Sequence, residues 1–537
     1  MALPPALHPL RHTVFRSLWT ANLVTSLGLW VQNTGAGWLM TSLSPDALSV
    51  SLVQMAVIVP TFLLALPAGA LADIVDRRRY LIATQIWTLF VAAVLTALTY
   101  AGKMDATGLI ALTFALGVGA AMYQPAWGAT VPEVVPRDDL VQSIALNGVG
   151  FNLARAAGPA LGGVLIVFGG PALAFAVYAA CAFVGAVMLS LWRRPPGRST
   201  LPPEHLLSAM RAGMRFVEHT PAMRAAMARA VAYFLPAAAP WALLPLVVRE
   251  QLGLGAGSFG TLLGLMGVGG VTAGLLMPAL RGRAGRGATV FGASLFSAAG
   301  MGLVAATTHW APAAAGMVLF GVGWVAAATT AQAAAQLVAP PWVRARALAI
   351  YQLAFNAALA LGSFVWGWLG NWIGLQAAMA CAAASLAVLA VLARGFGIDH
   401  AATAPAKVPA PPAPEEPAPE LASLLPQSRG RVLETMRYRV SAADRDTFLA
   451  AMDEVQHVRG RGGAVVWRLY EDVAHPEGWM EIWAVGSWTD HLREATRLSD
   501  FDKAILARVA PFVDADAPLP SRYIGVDPAS RDRRNVA

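Results

Sequence analysis

Five charged residues lie close together in the stretch Gly69–Tyr80, GALADIVDRRRY, although only 13% of the 537 residues are charged. They are Asp73, Asp76 and the run Arg77–Arg79. A carboxylate in a short turn can accept hydrogen bonds from the N-terminus of a neighbouring helix and can pair with arginine. The stretch therefore predicts an electrostatic latch between helix ends.

Arg155 is a further charged residue with an unusual setting, because it stands in the middle of an apolar stretch. Two interpretations are open. It can be a packing residue that pairs with backbone carbonyls or with Asn152, one helical turn away, or a cation that meets an anionic group. No Asp or Glu lies in the middle of any long apolar stretch, so Glu133, at the end of one, is the candidate proton carrier.

The composition assigns these residues to a membrane protein. The chain is 57% hydrophobic with a mean hydropathy of +0.55, which is too apolar for a water-soluble core to absorb. Its net charge of +8 is attributed to arginines at helix ends, so no nucleic-acid partner is expected. The two cysteines, Cys181 and Cys381, lie in separate apolar stretches and predict neither a disulfide nor a metal site.

Twelve apolar stretches are each long enough to cross a bilayer as a helix. Arginines fall almost entirely in one alternate set of connecting loops, whereas the other set holds only Lys103 and Arg249. Because basic loops stay in the cytoplasm, both termini and the Asp73 stretch are expected there. The predicted spans are 15–40, 47–72, 80–101, 106–131, 140–168, 171–192, 222–249, 257–280, 287–308, 311–338, 344–369 and 372–395.

Two pairs of matching segments indicate duplication of a six-helix unit. The basic turn that follows Gly69 has a counterpart at Pro278–Arg286, PALRGRAGR, and residues 135–163 align with residues 339–367. A parallel repeat of this kind is typical of a large class of transporters. The second alignment matches Gly158 with Gly362 and Gly163 with Gly367.

The stretch GALADIVDRRR resembles the loop signature of the major facilitator superfamily. The resemblance implies two six-helix lobes and a gate formed by this loop. Gly282 stands where the second copy would carry its aspartate, so Asp73 is expected to carry the latch. The implied gating residues are Gly69, Asp73, Arg77, Arg78, Gly282, Arg283 and Arg286.

The segment 154–163, ARAAGPALGG, resembles an element associated with exporters of the superfamily. Proline bends a helix and glycine lets a neighbouring helix approach closely, so the segment is expected to act as a pivot beside the transport pathway. Ordinary packing of a glycine-rich helix face is the alternative. The pivot residues are Gly158, Pro159, Gly162 and Gly163.

Polar side chains, all neutral except Arg155, occur on the spans that line the cavity in the resembled superfamily. Each can simply hydrogen-bond a neighbouring helix, which is worth about 0.6 kcal/mol. As a set they are expected to include contacts to a substrate. The candidate cavity residues are Asn33, Gln124, Asn152, Arg155, Tyr233, Gln332, Gln352 and Asn356.

A Pro/Ala-rich linker at 399–428 precedes a soluble segment, 429–525. The order strand, helix, strand, strand, helix, strand predicts a ferredoxin-like α+β domain whose second helix covers about 489–511. This tail resembles dimeric barrel domains related to antibiotic-biosynthesis monooxygenases, which implies a dimer through the tail. Residues 487–502 resemble the tail of transmembrane secretion effectors. No phosphate loop, metal-ligand spacing or nucleophile triad is recognisable, so neither a cofactor nor a metal is expected.

Together these features predict an all-α membrane protein of twelve transmembrane helices in two six-helix lobes, with a ferredoxin-like tail. The implied function is secondary export of a small siderophore-, drug- or metabolite-like molecule across the inner membrane by alternating access, coupled to protons. An importer shares every helix and is one alternative; a membrane-anchored enzyme is another, although one helix would suffice as an anchor. The predicted divisions are 1–195, 196–221 (interlobe loop), 222–398, 399–428 (linker) and 429–525.

Overall fold

The computed structural model describes residues 5–192, 213–281, 285–340, 343–398, 417–418, 420, 425, 430–498, 500–517 and 519–525. They fall into two compact units. The helical unit comprises Met1–Pro202, Met227–Ala333 and Gln352–Gly397, and the mixed unit comprises Pro203–Ala226, Ala334–Tyr351 and Ile398–Ala537. The predicted linker lies almost entirely outside the described residues, as does the part of the interlobe loop before residue 213.

Long apolar helices account for most of the described residues. The helices are α1 Thr13–Leu43, α2 Ala47–Ile74, α3 Arg77–Tyr100, α4 Ala106–Val134, α5 Leu140–Leu191, α6 Pro221–Ala237, α7 Ala239–Leu246, α8 Ala256–Arg281, α9 Arg286–Ala306, α10 Trp310–Val338, α11 Arg344–Ile373 and α12 Leu375–Leu392. They provide ten spans that are long and apolar enough to cross a membrane, with α5 counted once, α6 and α7 counted together as Pro221–Gln251, and α1 not included. We call α1–α5 the N-terminal half and α6–α12 the C-terminal half.

Helix α5 covers two of the predicted spans. Its backbone is not helical at Gly169 and Gly170, where the predicted spans 140–168 and 171–192 meet. Gly170 has a φ of 68°, a conformation that glycine adopts without the steric cost that a side chain would bring. The two glycines therefore divide one continuous stretch of 52 residues into two helical segments.

The seventh predicted span is interrupted rather than straight. Helix α6 ends at Ala237, α7 follows from Ala239, and the five residues Val247–Gln251 form a π-helical turn. Pro240 lies in the first turn of α7, where a missing N–H is tolerated. This span is the most buried of the candidate spans, since 78% of its most apolar stretch lies inside the protein.

Aspartates begin three of the helices. Asp46, Asp76 and Asp105 precede α2, α3 and α4, and each side chain accepts a hydrogen bond from the backbone N–H three residues later. Such caps satisfy donors that have no partner within the helix. Asp76 therefore fixes the start of the helix on which Arg77 and Arg78 lie.

The mixed unit contains a four-stranded antiparallel sheet of order β2-β3-β1-β4. Its strands are β1 Val432–Arg439, β2 Ala464–Glu471, β3 Gly478–Val485 and β4 Ser521–Ile524, and its helices are α13 Arg445–Gly462, α14 Trp488–Arg497 and α15 Asp500–Val509. The single helix predicted over 489–511 is thus two helices, because the backbone becomes extended at Leu498. Phe448, Met452 and Trp483 are among the most buried side chains of its core.

Candidate functional site

The connection between α2 and α3 defines what we call the basic end of the helical unit. Arg77 donates to Glu133 Oε1 at 2.5 Å and to the Ala129 carbonyl at 3.0 Å, both on α4. Arg78 donates to the carbonyls of Leu189 and Ser190, at 3.3 and 2.6 Å, at the end of α5. These two arginines therefore tie the start of α3 to other helices of the N-terminal half.

The other predicted gating residues are only partly described. Gly69 and Asp73 lie in the last two turns of α2, and Arg286 is the first residue of α9. The side chain of Asp73 is outside the described part of the structure, and so are Gly282 and Arg283. Glu133, the predicted proton carrier, is the ion-pair partner of Arg77.

At the opposite end of the helical unit, the side chain of Asn371 joins the two halves. Its Oδ1 accepts hydrogen bonds from the backbone N–H groups of Ala47 at 2.6 Å and Leu48 at 3.3 Å. Its Nδ2 donates to Asp46 Oδ1 at 3.3 Å. A residue at the end of α11 thus caps the N-terminus of α2, which belongs to the other half.

Arg249, in the π-helical turn, makes a second contact between the halves at this end. Its Nη1 donates to Thr41 Oγ1 at 2.9 Å and to Ser42 Oγ at 2.5 Å, both in the last turn of α1. Its guanidinium also lies over the ring of Trp38, at 5.8 Å from the ring centroid. One of the two basic residues that the sequence places in this set of loops therefore binds the other half.

The charge on Asp46 is stabilised by its neighbours. Burial acts to raise the pKa of this carboxyl group, but hydrogen bonds from Ser44, Ser49 and Asn371 outweigh it and lower the pKa to about 2. Asp46 is consequently a carboxylate at neutral pH. It can both cap α2 and accept the hydrogen bond from Asn371.

Small residues bring α5 against α8, in the other half. A Cβ added to Gly260 would lie 2.6 Å from the Cα of Gly163 and 2.7 Å from the Pro159 carbonyl oxygen. One added to Gly267 would lie 2.7 Å from the Cα of Ala156. The contacts run antiparallel along the two helices, and these distances leave no room for a side chain at either glycine.

The matched glycines of the sequence repeat make matched contacts. Gly158 packs on Trp30 of α1, within its own half, and its counterpart Gly362 packs on the Leu235 carbonyl of α6, also within its own half. Gly163 meets α8 of the other half, and its counterpart Gly367 meets Ser51 of α2, again in the other half. The glycines therefore occupy corresponding positions in two similar halves.

A small cavity lies where the two halves meet. Its volume of about 20 Å³ is enough for only one or two water molecules. Two of its walls are the rings of Trp30 and Trp241, whose centroids are 5.9 Å apart. The lining residues are Trp30, Asn33, Thr34, Gln54, Pro159, Pro240, Trp241, Phe259 and Leu263.

Three polar atoms of this lining have no hydrogen-bond partner among the described residues. They are Nε1 of Trp30, Nε1 of Trp241 and Oδ1 of Asn33, and all three are buried. Buried polar groups are almost always hydrogen-bonded, so atoms left unsatisfied together indicate a place for water or a ligand. Two donors and one acceptor thus remain unsatisfied on residues that line a compartment bounded by aromatic rings.

Comparison with known proteins identifies the family. A family model described as transmembrane secretion effector matches residues 5–526, nearly the whole chain. The chain belongs to this family. The family and its curated relatives are transporters of the major facilitator superfamily rather than enzymes.

The curated relatives of this chain include a transporter and an efflux pump. It is 28% identical over 174 residues to the staphyloferrin A transporter of Staphylococcus aureus (strain NCTC 8325 / PS 47), which is 32% of this chain and 44% of the relative. It is 29% identical over 215 residues to the multidrug efflux pump Tap of Mycolicibacterium fortuitum, which is 38% of this chain and 52% of the pump. The chain thus spans about half the length of the curated relatives that it matches.

Solved transporters share the fold of the secretion effector. A bacterial homologue of the human lysosomal transporter Spinster, solved inward-facing and unoccupied, aligns with 74% of this chain and 97% of its own, with a TM-score of 0.56 and 15% identity. The nucleoside transporter NupG aligns with 71% of this chain and 99% of its own, with a TM-score of 0.58 and 12% identity.

The structure separates the predicted cavity residues of the secretion effector. Asn33 lines the cavity between the halves, whereas Gln124, Gln332 and Gln352 are exposed and do not line it. Tyr233 is buried within the C-terminal half, where its hydroxyl lies 2.6 Å from Ser297 Oγ. Asn152, Arg155 and Asn356 are absent from the lining as well.

Arg155 has the partner that the packing interpretation expects. Its Nη2 donates to Asn152 Oδ1 at 2.9 Å, and Asn152 Nδ2 donates to the Gly148 carbonyl at 2.9 Å. All three residues lie on α5. The contact leaves the guanidinium with further donors, since arginine has five N–H groups.

Sequence reasoning missed Trp30, Trp241 and Arg229. Arg229 is only 6% exposed and donates to the carbonyls of Phe396 at 2.7 Å, Gly287 at 3.2 Å and Arg394 at 3.4 Å. It joins α6 to the start of α9 and to the segment after α12. The only indication in the sequence was an arginine inside the apolar run MARAVAYF.

Proposed function

We propose that this protein exports a small organic molecule across the inner membrane by alternating access between two six-helix lobes. The observation that carries the proposal is the set of contacts between the halves. Asn371 hydrogen-bonds the start of α2, Arg249 hydrogen-bonds the end of α1, and Gly163 packs against Gly260. Counting α5 as two spans and including α1 raises the ten candidate spans to the twelve of the proposal.

The positive charges support an orientation with the basic end and both termini in the cytoplasm. Arg77, Arg78 and Arg286 then lie at the cytoplasmic ends of their helices, and Asn371 and Arg249 lie at the external ends. In this orientation the hydrogen bonds of Asn371 and Arg249 close the external side. Opening that side requires these hydrogen bonds to break.

The cavity between Trp30 and Trp241 is our proposed substrate site. At about 20 Å³ it is too small for an organic molecule, so the lobes must separate before a substrate enters. The unsatisfied atoms favour a substrate that offers acceptors to the two indole N–H groups and a donor to Asn33. Aromatic or polar compounds of the siderophore or drug class meet these requirements, and the staphyloferrin A transporter and the multidrug efflux pump among the relatives support that class.

We assign the energy source to the proton gradient, because the sequence has no recognisable ATP site. Glu133 is the proposed carrier, and its ion pair with Arg77 supplies the coupling. Protonation of Glu133 removes the charge that holds Arg77 on α4, which loosens the start of α3. Proton binding and gate opening are thereby linked.

The ferredoxin-like assignment of the tail completes the proposal. The antiparallel sheet order β2-β3-β1-β4, with helices between β1 and β2 and between β3 and β4, supports it. We propose that this tail lies in the cytoplasm and that two copies can associate through it.

Transport in membrane vesicles tests the proposal. Compounds excreted only by cells that contain the protein are identified by mass spectrometry and then offered to everted inner-membrane vesicles. An exporter accumulates its substrate inside everted vesicles, and a protonophore abolishes the accumulation. Accumulation only in right-side-out vesicles would identify an importer and overturn the proposed direction.

Matched tryptophan variants test the substrate site. Trp30→Phe and Trp241→Phe keep an aromatic ring but remove a donor, so the half-saturating substrate concentration should rise about 2- to 13-fold, which corresponds to 0.5–1.5 kcal/mol. Trp87→Phe is the control, because Trp87 Nε1 donates to the Ala115 carbonyl, away from the cavity. Equal behaviour of all three variants would remove the indoles from the site.

A further inference from the structure

The core of the mixed unit contains three buried side chains of metal-ligating type. Glu434, His491 and Glu494 are 3%, 8% and 7% exposed. One ligand atom from each lies within 4.8 Å of the others. None of the three took part in the predicted transport mechanism, and they lie in a unit that has no assigned chemistry.

Two elements bring these side chains together. Glu434 lies on the helix-covered face of β1, opposite Trp483 of β3. His491 and Glu494 lie three residues apart on α14, so their side chains share one face of that helix. A strand thus supplies one ligand and a helix supplies two, a rigid arrangement that neither element could make alone.

The positive charge beside Glu494 is shared with another carboxylate. Arg459 donates to Glu481 at 2.9 and 3.3 Å and reaches Glu494 only at 3.6 Å. Among the described residues, the other donor to Glu494 is Trp483 Nε1, at 3.4 Å. The carboxylate of Glu494, a residue that is more than nine-tenths buried, is therefore held only weakly by these donors.

One carboxylate oxygen of Glu434 lies within 4.8 Å of one of Glu494. Two buried carboxylates repel each other unless a positive charge lies between them. A single proton or a metal cation can supply that charge. The imidazole beside them adds a nitrogen ligand, which a proton-sharing carboxyl pair does not need but a transition metal does.

We propose that Glu434, His491 and Glu494 bind one divalent transition-metal cation of the Zn²⁺ class. One nitrogen and two carboxylate oxygens are ligands that Zn²⁺ accepts, at about 2.0–2.2 Å, with water in the remaining position. The cation takes the place of the hydrogen between His491 Nδ1 and Glu434 Oε1, so these two atoms, which are 2.6 Å apart without it, must move further apart when the metal binds.

Arg522 opposes binding. Its Nη1 lies 3.0 Å from His491 Nε2 and donates to it when the imidazole carries its hydrogen on Nδ1. A cation at Nδ1 requires the other tautomer, in which Nε2 carries the hydrogen and Arg522 must move away. Removing the guanidinium should therefore strengthen metal binding.

Equilibrium dialysis of the full-length protein against Zn²⁺ tests the site, with protein prepared without a histidine tag. One Zn²⁺ should bind per chain, and Co²⁺ in its place should give the visible absorption of a nitrogen- and oxygen-ligated ion. Glu434→Gln, His491→Gln and Glu494→Gln should each weaken Zn²⁺ binding at least about 100-fold, beyond the 10- to 100-fold effect of outer partners. Glu477→Gln and His475→Gln, at exposed positions, are controls and should bind as the wild type does.

Arg522→Gln keeps all three ligands and provides the decisive variant if a ligand substitution fails to fold. It should bind Zn²⁺ at least about tenfold more tightly, since a unit charge near a metal site is worth 1.4 kcal/mol or more. Unchanged or weaker binding by Arg522→Gln would overturn the proposal. Failure of the wild type to bind one Zn²⁺ per chain would also overturn it and would assign the cluster to a shared proton.

Discussion

The contact between Gly163 and Gly260 offers a direct test of how the two halves are held together. In Gly260→Ala, the new Cβ would lie 2.6 Å from the Cα of Gly163 and 2.7 Å from the Pro159 oxygen. Both are backbone atoms and can move only together with the helix, so α5 and α8 must separate. Overpacking of this kind costs about 1–3 kcal/mol.

The cost falls only on the conformation in which α5 and α8 touch. The gain in helix propensity from Gly to Ala is the same in both conformations and cancels. At 1.4 kcal/mol per factor of ten, the equilibrium should shift about 5- to 150-fold away from the conformation described here. The direction is toward separated halves, in which reagents from the external side reach the cavity.

Labelling of a single cysteine measures that shift. The background replaces Cys181 and Cys381 with serine and carries Asn33→Cys, at a residue that lines the cavity. The rate of alkylation by an impermeant maleimide added outside should rise about 5- to 150-fold in Gly260→Ala. Gly302→Ala is the matched control, because its Cβ would meet no atom within 4 Å. An unchanged rate in a well-folded Gly260→Ala protein would refute the reasoning.

Four other substitutions have defined outcomes. If the carboxylate of Asp73 latches the gate, Asp73→Asn should leave the protein inserted in the membrane but slow transport at least about tenfold, because a hydrogen bond to a charged group is worth about 1.5–3 kcal/mol. Normal flux through Asp73→Asn would contradict this. If the Arg155 guanidinium binds an anionic group of the substrate, Arg155→Lys should weaken substrate binding by about 1–3 kcal/mol. Unchanged substrate affinity together with a lower melting temperature would instead identify Arg155 as a packing residue. Arg229→Gln should lower the free energy of unfolding by several kcal/mol, because it removes the charged donors from three carbonyl groups. A melting temperature equal to that of the wild type would show that these hydrogen bonds are weak. The pKa of Asp46 is lowered from 3.8 to about 2, so its carboxylate stabilises the fold above pH 3.8, and this stabilisation is lost as the pH falls toward 2. The difference in melting temperature between the wild type and Asp46→Asn should therefore shrink over that interval and stay constant between pH 5 and 8.

The membrane-spanning elements could be predicted because their evidence is local. A run of about 20 apolar residues can satisfy its backbone in a bilayer only as a helix, whatever the rest of the chain does. The same holds for the break between the predicted spans 140–168 and 171–192, where Gly169 and Gly170 divide α5. The family followed from a short loop and a glycine-rich helix, since both are continuous in sequence. The model matching residues 5–526 agrees with that resemblance.

The partners of these residues could not be predicted, because they lie far away in the sequence. Gly163 is recognisable as a small residue in a helix, but only the tertiary structure pairs it with Gly260. Asn371 and Ala47 are more than 300 residues apart, and no periodicity relates them. The polar residues selected as a cavity set share only their chemistry, and of these Asn33 alone lines the cavity with Trp30 and Trp241.

The tail shows the same division at a smaller scale. Alternating apolar residues and turn signals indicated its strands, since the period of two belongs to each strand separately. Glu434, however, precedes His491 by 57 residues, and their spacing matches no metal motif. Antiparallel pairing of β1 with β3, and the packing of α14 on that sheet, brings the two side chains to 2.6 Å. The sequence by itself determined which segments are helices and strands, because those preferences are set by near neighbours. Only the tertiary structure decided which side chains meet, because that depends on how distant segments pack.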